Sequence, residues 1–284
     1  MSALRFTHAI VCRVPKSYAE SAINLKDTVD IDKVRKQHEE YVQTLREVGL
    51  DVIELPPDEK HPDCVFVEDI AVVCNGTALV TKPGHPSREK EVEYMRSILK
   101  NELELPVIEI KDPKATLDGG DVLFTGKEFF VGLSGRTNQA GACALASTFP
   151  EFPCVPIKVD KSLHLKMLIT MAGPDVMCVG PSAEARDTLK AKEGNNLRLW
   201  VLSTLVENTI VSIVLALNMR IDHSYSDFYN TILEIFQNHT LSERNLGLIS
   251  LSNFTKKVGY LKSCHLSLIT RSTFCYEKHL KHIM

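Results

Sequence analysis

Through the first 190 residues, short apolar runs and stripes of apolar residues at helical spacing follow one another in a repeating order. Phe6 to Val14 predicts a strand. Asp32 to Val48 predicts an amphipathic helix, begun by Asp30 or Asp32 and stopped at Gly49, and Leu50 to Leu55 predicts a second strand. Val65 to Cys74 and Thr77 to Lys82 predict a strand pair turning at Asn75-Gly76, a dipeptide suited to the left-handed backbone of a tight hairpin. Ser87 is expected to cap a helix running to about Lys100, and Pro106 to Ile110 is again a strand. The order then recurs: strands at 121–125 and 128–133, a helix from about Thr137 to Ser147, and a strand at 154–157. A third copy opens at His164 and reaches a helix from Ser182. Repeats of strand, strand, helix and strand predict an array of units about an axis with a central cleft.

Beyond this point the punctuation changes. All 13 Pro lie at or before Pro181, and 12 of the 14 Gly lie at or before Gly194. Residues 1–194 carry 24 Lys+Arg against 30 Asp+Glu, whereas residues 195–284 carry 9 against 6. Local propensity, pattern and turn chemistry agree with one another in the first part and scarcely do so in the second. The chain is therefore read as a domain over 1–190 and a divergent tail over 191–284.

A net charge of -3 argues against a nucleic-acid binder, which would normally show a basic stripe. The start of the chain lacks the basic and apolar segments of a leader, and eight Cys without a C-x-x-C pair predict reduced thiols in the cytoplasm. Leu199 to Leu217 is the candidate membrane span. Glu207 and Asn208 near its middle, and an apolar core shorter than the roughly 20 residues a span requires, argue against it.

Chemistry concentrates where the repeats begin. Thr116 to Gly126 sets Asp118 and Asp121 around Gly119-Gly120 at the mouth of an apolar run, and Glu68-Asp69 interrupts another. Burying such charges is expensive unless they are paired, so a cation site competes here with a solvated bulge. Arg88 and Arg136 stand at helix starts, which the helix dipole makes unfavourable for a cation. A carboxylate-binding role therefore competes with a surface one. His164 could be catalytic or structural. Because these residues start successive units, the repeat predicts that they converge.

The segments D-C-V-F-V-E-D-I-A-V-V, A-T-L-D-G-G-D-V-L-F-T-G, F-F-V-G-L-S-G-R-T-N-Q and L-H-L-K-M-L-I-T-M-A-G-P strongly resemble the dimethylarginine dimethylaminohydrolase, or dimethylargininase, family of guanidine-modifying enzymes. The resemblance covers about residues 6–190. It implies an α/β fold, a five-bladed α/β-propeller of the pentein type built from ββαβ units, here incomplete and followed by a non-family C-terminal tail. It also implies hydrolysis of asymmetric dimethylarginine or monomethylarginine to citrulline and a methylamine, which sustains nitric oxide synthesis, with no required cofactor and with zinc as an inhibitor in the family.

Carried onto this chain, the resemblance puts Glu68 and Asp69 at the guanidinium and Arg136 at the substrate carboxylate. Asp63 and Arg88 face the amino-acid end or its neighbouring backbone. Asp118 orients His164, the general acid and base, and Ser21 to Asp27 forms a flap. No metal is assigned. The nucleophilic Cys belongs to the last blade, which falls within the divergent tail, where Cys264 in G-Y-L-K-S-C-H-L-S-L-I is the candidate replacement and Cys275 the weaker one. The alternative is an inactive or unstable relative with an alternative C-terminus that at most binds methylarginine. An arginine deiminase is disfavoured by the motifs.

Overall fold

The computed structural model describes residues 6–23, 29–47, 49–173, 176–180, 182–190, 198–201 and 267–270. They form an α/β-propeller whose described part holds four three-stranded sheets. The first sheet joins β1 (Phe6–Cys12) to β2 (Asp51–Leu55), the second contains β3 (Ala71–Cys74), β4 (Thr77–Val80) and β5 (Val107–Glu109), and the third contains β6 (Val122–Phe124), β7 (Phe129–Leu133) and β8 (Cys154–Lys158). The fourth contains β9 (Ile169–Gly173), β10 (Val176–Val179) and β11 (Arg198–Val201), and β12 (Ser267–Thr270) supplies the third strand of the first sheet.

All four sheets obey one rule: the central strand runs antiparallel to one neighbour and parallel to the other. An antiparallel neighbour needs only a tight turn, whereas a parallel one needs a crossover. Helices provide it: α2 (Ile31–Glu47), after the short α1 (Tyr18–Ser21), then α3 (Val92–Ser97), α4 (Gln139–Thr148) and α5 (Ala183–Lys190). At the β3–β4 hairpin Asn75 and Gly76 take φ of 49° and 75°, the left-handed pair that the dipeptide predicts.

Both described strands beyond residue 190 join sheets whose other strands come from residues 1–190. In the first sheet β12 pairs antiparallel with β1, placing Ser267 opposite Ile10 and Leu268 opposite Ala9. The rest of the predicted tail, with Cys264, Cys275 and most of Leu199 to Leu217, lies outside the described residues, as does the 24–27 part of the predicted flap. Among the described residues no helix is long and apolar enough to cross a membrane.

Two local expectations are corrected. The strand predicted from Val65 begins at Ala71, because Val67–Ile70 is a buried 3-10 turn. A pleated strand would point Glu68 and Asp69 to opposite faces, whereas the turn keeps both carboxylates inside. Nor does Ser87 cap the helical segment predicted there, which opens as the 3-10 turn Pro86–Glu91. His85 occupies that position, its Nδ1 accepting from the Ser87 amide at 3.3 Å, with Pro86 next. The Pro86–Glu91 turn is 3-10, and α3 continues beyond Ser97 as a wider π turn.

Helices cover the sheets through apolar layers shared between neighbouring units. Beneath α4, Leu145 and Phe149 pack with Leu79 and Leu117 and with Phe129 and Val131. Phe129 is 1% exposed, with Phe124 and Phe149 at ring separations of 4.6 and 5.3 Å. Truncating it leaves a cavity that a close-packed interior fills only partly. Phe129→Ala is expected to lower unfolding free energy by about 3–5 kcal/mol in equilibrium urea denaturation. Tyr94→Ala, at a side chain 52% exposed, is expected to stay within about 0.5 kcal/mol of the parent.

Candidate active site

Three short 3-10 turns introduce three of the sheets: Val67–Ile70 before β3, Gly119–Asp121 before β6 and Leu165–Met167 before β9. They pack against one another in that order. Glu68 and Asp69 lie in the first turn, Asp118 opens the second, which ends at Asp121, and His164 opens the third. The convergence predicted from the repeat is thus realised, and none of these side chains reaches surface exposure.

The imidazole of His164 is the hub. Its Nε2 lies 3.0 Å from Asp118 Oδ2, and its Nδ1 lies 3.9 Å from Asp69 Oδ1, beyond hydrogen-bond reach. Among the described residues Nδ1 has no hydrogen-bond partner. Asp118 is held from behind, its Oδ1 accepting from the Gly84 amide at 2.7 Å while its own amide donates to Thr137 Oγ1 at 3.0 Å. Asp121 accepts from the Leu165 amide at 2.9 Å and from Ser134 Oγ at 2.6 Å, which anchors the main chain next to His164. Burial drives the imidazolium pKa down, but the Asp69 charge, the Asp118 hydrogen bond and the Asp121 charge outweigh it and raise it to about 9. At neutral pH the ring is therefore protonated, with its unbonded N–H at Nδ1.

Glycine makes the approach possible. A Cβ on Gly120 would stand 2.6 Å from His164 Nδ1 and 2.7 Å from Asp69 Oδ1, and one on Gly119 would stand 1.9 Å from the Glu68 carbonyl. The Gly120 amide uses this closeness to donate to Asp69 Oδ1 at 2.9 Å.

Arg88 is buried and fully engaged. Its Nη1 donates to Asp69 Oδ2 at 2.5 Å, its Nε and Nη2 fork onto the Glu91 carboxylate, and Nη2 also reaches the Asp63 and Phe66 carbonyls. Its guanidinium thus holds the Asp69 turn within the protein. Burial lowers its pKa, yet Asp69 and Glu91 more than reverse that and keep it charged. Glu68 pairs instead with Lys166, whose Nζ lies 3.0 Å from Glu68 Oε2.

Asp63 is buried and accepts from the Ile23 amide at 3.1 Å. Burial raises its pKa against the opposing effects of that amide and of Arg88, Arg136 and His85. Arg136 thus brings positive charge to Asp63. It is half-buried, and its side chain forms no ion pair among the described residues. Glu91, Thr137 and Lys166 were not picked out from the sequence. Only the i,i+3 spacing of Arg88 and Glu91 was a usable signal, because the other two contacts are long-range.

The described cysteines do not supply a nucleophile beside His164. Burial raises Cys74 to about 12 and Cys154 to about 11. Cys12 and Cys64 share a hydrogen bond that raises the first and lowers the second, within the apolar core around β1. As to metals, ligand atoms of Asp69, Asp118 and His164 lie within 4.8 Å of one another. Two carboxylates and an imidazole suit a divalent ion such as zinc. A surface groove of about 750 Å³ lined by Leu133, Ser134, Asn138, Pro156 and Lys158 is a separate feature that none of these three residues lines.

Comparison with known proteins gives a consistent picture. The family model for N,N dimethylarginine dimethylhydrolase, eukaryotic, matches residues 14–243, a span that runs past residue 190. The putative hydrolases DDAH2 of Bos taurus and Homo sapiens are 40% and 41% identical over 190 residues, covering 66% of this chain and 66% of theirs. The chain therefore spans about two thirds of the length of these curated relatives. N(G),N(G)-dimethylarginine dimethylaminohydrolase of Streptomyces coelicolor is 37% identical over 61% of this chain and 67% of its own.

Among solved structures, a cysteine-to-serine mutant of the Pseudomonas aeruginosa enzyme complexed with citrulline superposes with a TM-score of 0.59. It is 26% identical, and the match covers 69% of this chain and 76% of that one. A histidine-to-glycine dimethylarginine dimethylaminohydrolase, as its adduct with S-methyl-L-thiocitrulline, reaches a TM-score of 0.68 over 93% of this chain and 100% of that one. At 22% identity that second likeness speaks for the fold alone.

Two measurements probe this arrangement. A His164 pKa raised from about 6.5 to about 9 stabilises the fold fully below pH 6.5, and the gain is lost as pH rises through 9. NMR titration is expected to show the ring protonated at pH 7.5, with Asp118→Asn lowering its midpoint. Arg88→Met would leave Asp69 and Glu91 buried without their cation, and is expected to lower stability by about 3–5 kcal/mol in urea denaturation.

Proposed function

The chain belongs to the eukaryotic N,N-dimethylarginine dimethylhydrolase family, and we propose that it hydrolyses asymmetric dimethylarginine and monomethylarginine to citrulline and a methylamine. The observation that carries the reading is the buried His164 imidazolium between Asp69 and Asp118, with Nδ1 free of hydrogen bonds among the described residues. Glu68 and Asp69 are the carboxylates for the substrate guanidinium, because a planar cation with several N–H donors meets carboxylates through charge-assisted bonds. Arg136 takes the substrate carboxylate and Asp63 faces the amino-acid end. Arg88 holds the Asp69 turn.

In this reading a thiolate attacks the guanidinium carbon. A C–S bond forms, the C–N bond to the methylated nitrogen breaks, and His164 gives its proton to the departing amine. The neutral imidazole then takes a proton from water as that water adds to the same carbon, and collapse expels the thiolate while the remaining hydroxyl proton passes to solvent, leaving citrulline. The thiol we assign is Cys264, outside the described residues. It stands three positions before β12 in the sequence, and β12 packs against the turn bearing Glu68 and Asp69. No cofactor enters these steps, and a zinc ion on Asp69, Asp118 and His164 would inhibit them by occupying the imidazole. Removal of methylarginines in the cytoplasm, sustaining nitric oxide synthesis, is the physiological side of the proposal. The alternative is a methylarginine binder without turnover, which follows if no thiol reaches the guanidinium carbon.

Citrulline release from asymmetric dimethylarginine by the purified full chain tests this. Turnover is expected, with a loss of at least about 10³-fold in Cys264→Ser and in His164→Ala while Cys264→Ser retains substrate binding in calorimetry. Binding by the parent chain without citrulline would establish the alternative, and absence of both would overturn the assignment.

A further inference from the structure

Two cations serve the acidic centre in different ways. Arg88 is 4% exposed and locked to Asp69, to Glu91 and to two carbonyls, so it cannot leave without stranding several buried groups. Lys166 is different. Its side chain is 20% exposed, and its Nζ makes a 3.0 Å ion pair with Glu68 Oε2, the one ion pair it forms among the described residues. A lysine ammonium is a compact, well-hydrated charge on a flexible stem, suited to moving between a carboxylate and water. The turn Leu165–Met167, anchored where the Leu165 amide donates to Asp121, brings Lys166 to Glu68 just after His164 reaches Asp118.

We propose that Lys166 is the exchangeable counter-ion of Glu68. It neutralises the carboxylate in the empty site, yields to the cationic head group of the incoming ligand, and returns once that head group has become neutral. The inference rests on the reading of Glu68 as a guanidinium carboxylate, and it makes Lys166 a specificity residue. A buried carboxylate left without a partner is costly, so the site always keeps one cation on Glu68. A methylated guanidinium can replace the ammonium, whereas a neutral ureide cannot. Lys166 therefore opposes binding of the cation and leaves binding of the neutral product nearly unchanged.

The test compares a cationic and a neutral ligand in Lys166→Met, Lys166→Gln and Lys166→Arg chains, all carrying Cys264→Ser, by isothermal titration calorimetry. Asymmetric dimethylarginine is expected to bind about tenfold more tightly to Lys166→Met and Lys166→Gln than to the Lys166 parent. Citrulline is expected to change by less than about twofold, and Lys166→Arg to resemble the parent. Lys166→Gln keeps the stem and a donor for Glu68, which preserves the comparison if the methionine variant fails to fold. Weaker or unchanged binding of asymmetric dimethylarginine in the charge-neutral variants would overturn the proposal. So would equal changes for both ligands, because a merely structural role predicts them. If the parent binds citrulline but not the cation, Glu68 is not the guanidinium carboxylate, and the functional reading fails before the counter-ion does.

Discussion

Carboxylates crowded around one imidazole in a water-poor interior are the constraint from which the rest of this structure follows. Glu68, Asp69, Asp118 and Asp121 are each at most 6% exposed. A lone buried carboxylate would ionise only at a cost of several kcal/mol. The fold meets this with a distributed set of partners: Arg88 on Asp69, Lys166 on Glu68, His164 on Asp118, and the amides of Gly84, Gly120 and Leu165 on three of the acids. The same negative surroundings hold the imidazole protonated at neutral pH. Stabilising the fold and holding the imidazole protonated are thus one electrostatic arrangement.

That arrangement depends on repetition. Every described sheet joins one antiparallel pair to a parallel crossover strand, and three of the sheets begin with a 3-10 turn. A residue placed at the start of one unit therefore lies near the starts of its neighbours, although 46 positions separate Asp118 from His164 in the chain. Glycine at 119 and 120 lets two such turns touch, since any Cβ there would overlap the Glu68 carbonyl or the imidazole. The pairing of β12 with β1 joins the two ends of the described chain in one sheet. It also sets β12 beside the Glu68-Asp69 turn.

The proposed chemistry draws its selectivity from how this charge is shared. Arg88 fixes the Asp69 turn permanently, whereas Lys166 stands nearer to solvent on a mobile stem. A substrate cation would then compete with one side chain and be oriented by residues that another has already locked. Proton transfer would use Nδ1, because Asp118 occupies Nε2.

Much of this was legible before any coordinates. The alternation of strand and helix, the hairpin at Asn75-Gly76 and the grouping of Asp118, Asp121, Glu68, Asp69 and His164 at unit starts are local patterns, and local patterns are what a sequence displays. Three-dimensional packing decided the remainder. Val67–Ile70 reads as strand from its apolar neighbours and becomes a turn because two charges must face inward together. Ser87 has the composition of a cap, but His85 takes the role through a ring nitrogen. Arg88 reads as a residue for ligand carboxylates, and its own protein's acids claim every arm of its guanidinium. Lys166 shows no pattern of its own, since its partner is 98 positions away by residue number. Periodicity and turn chemistry are written between neighbours along the chain and so can be read there; which buried charge answers which is decided only when distant turns pack together in the interior.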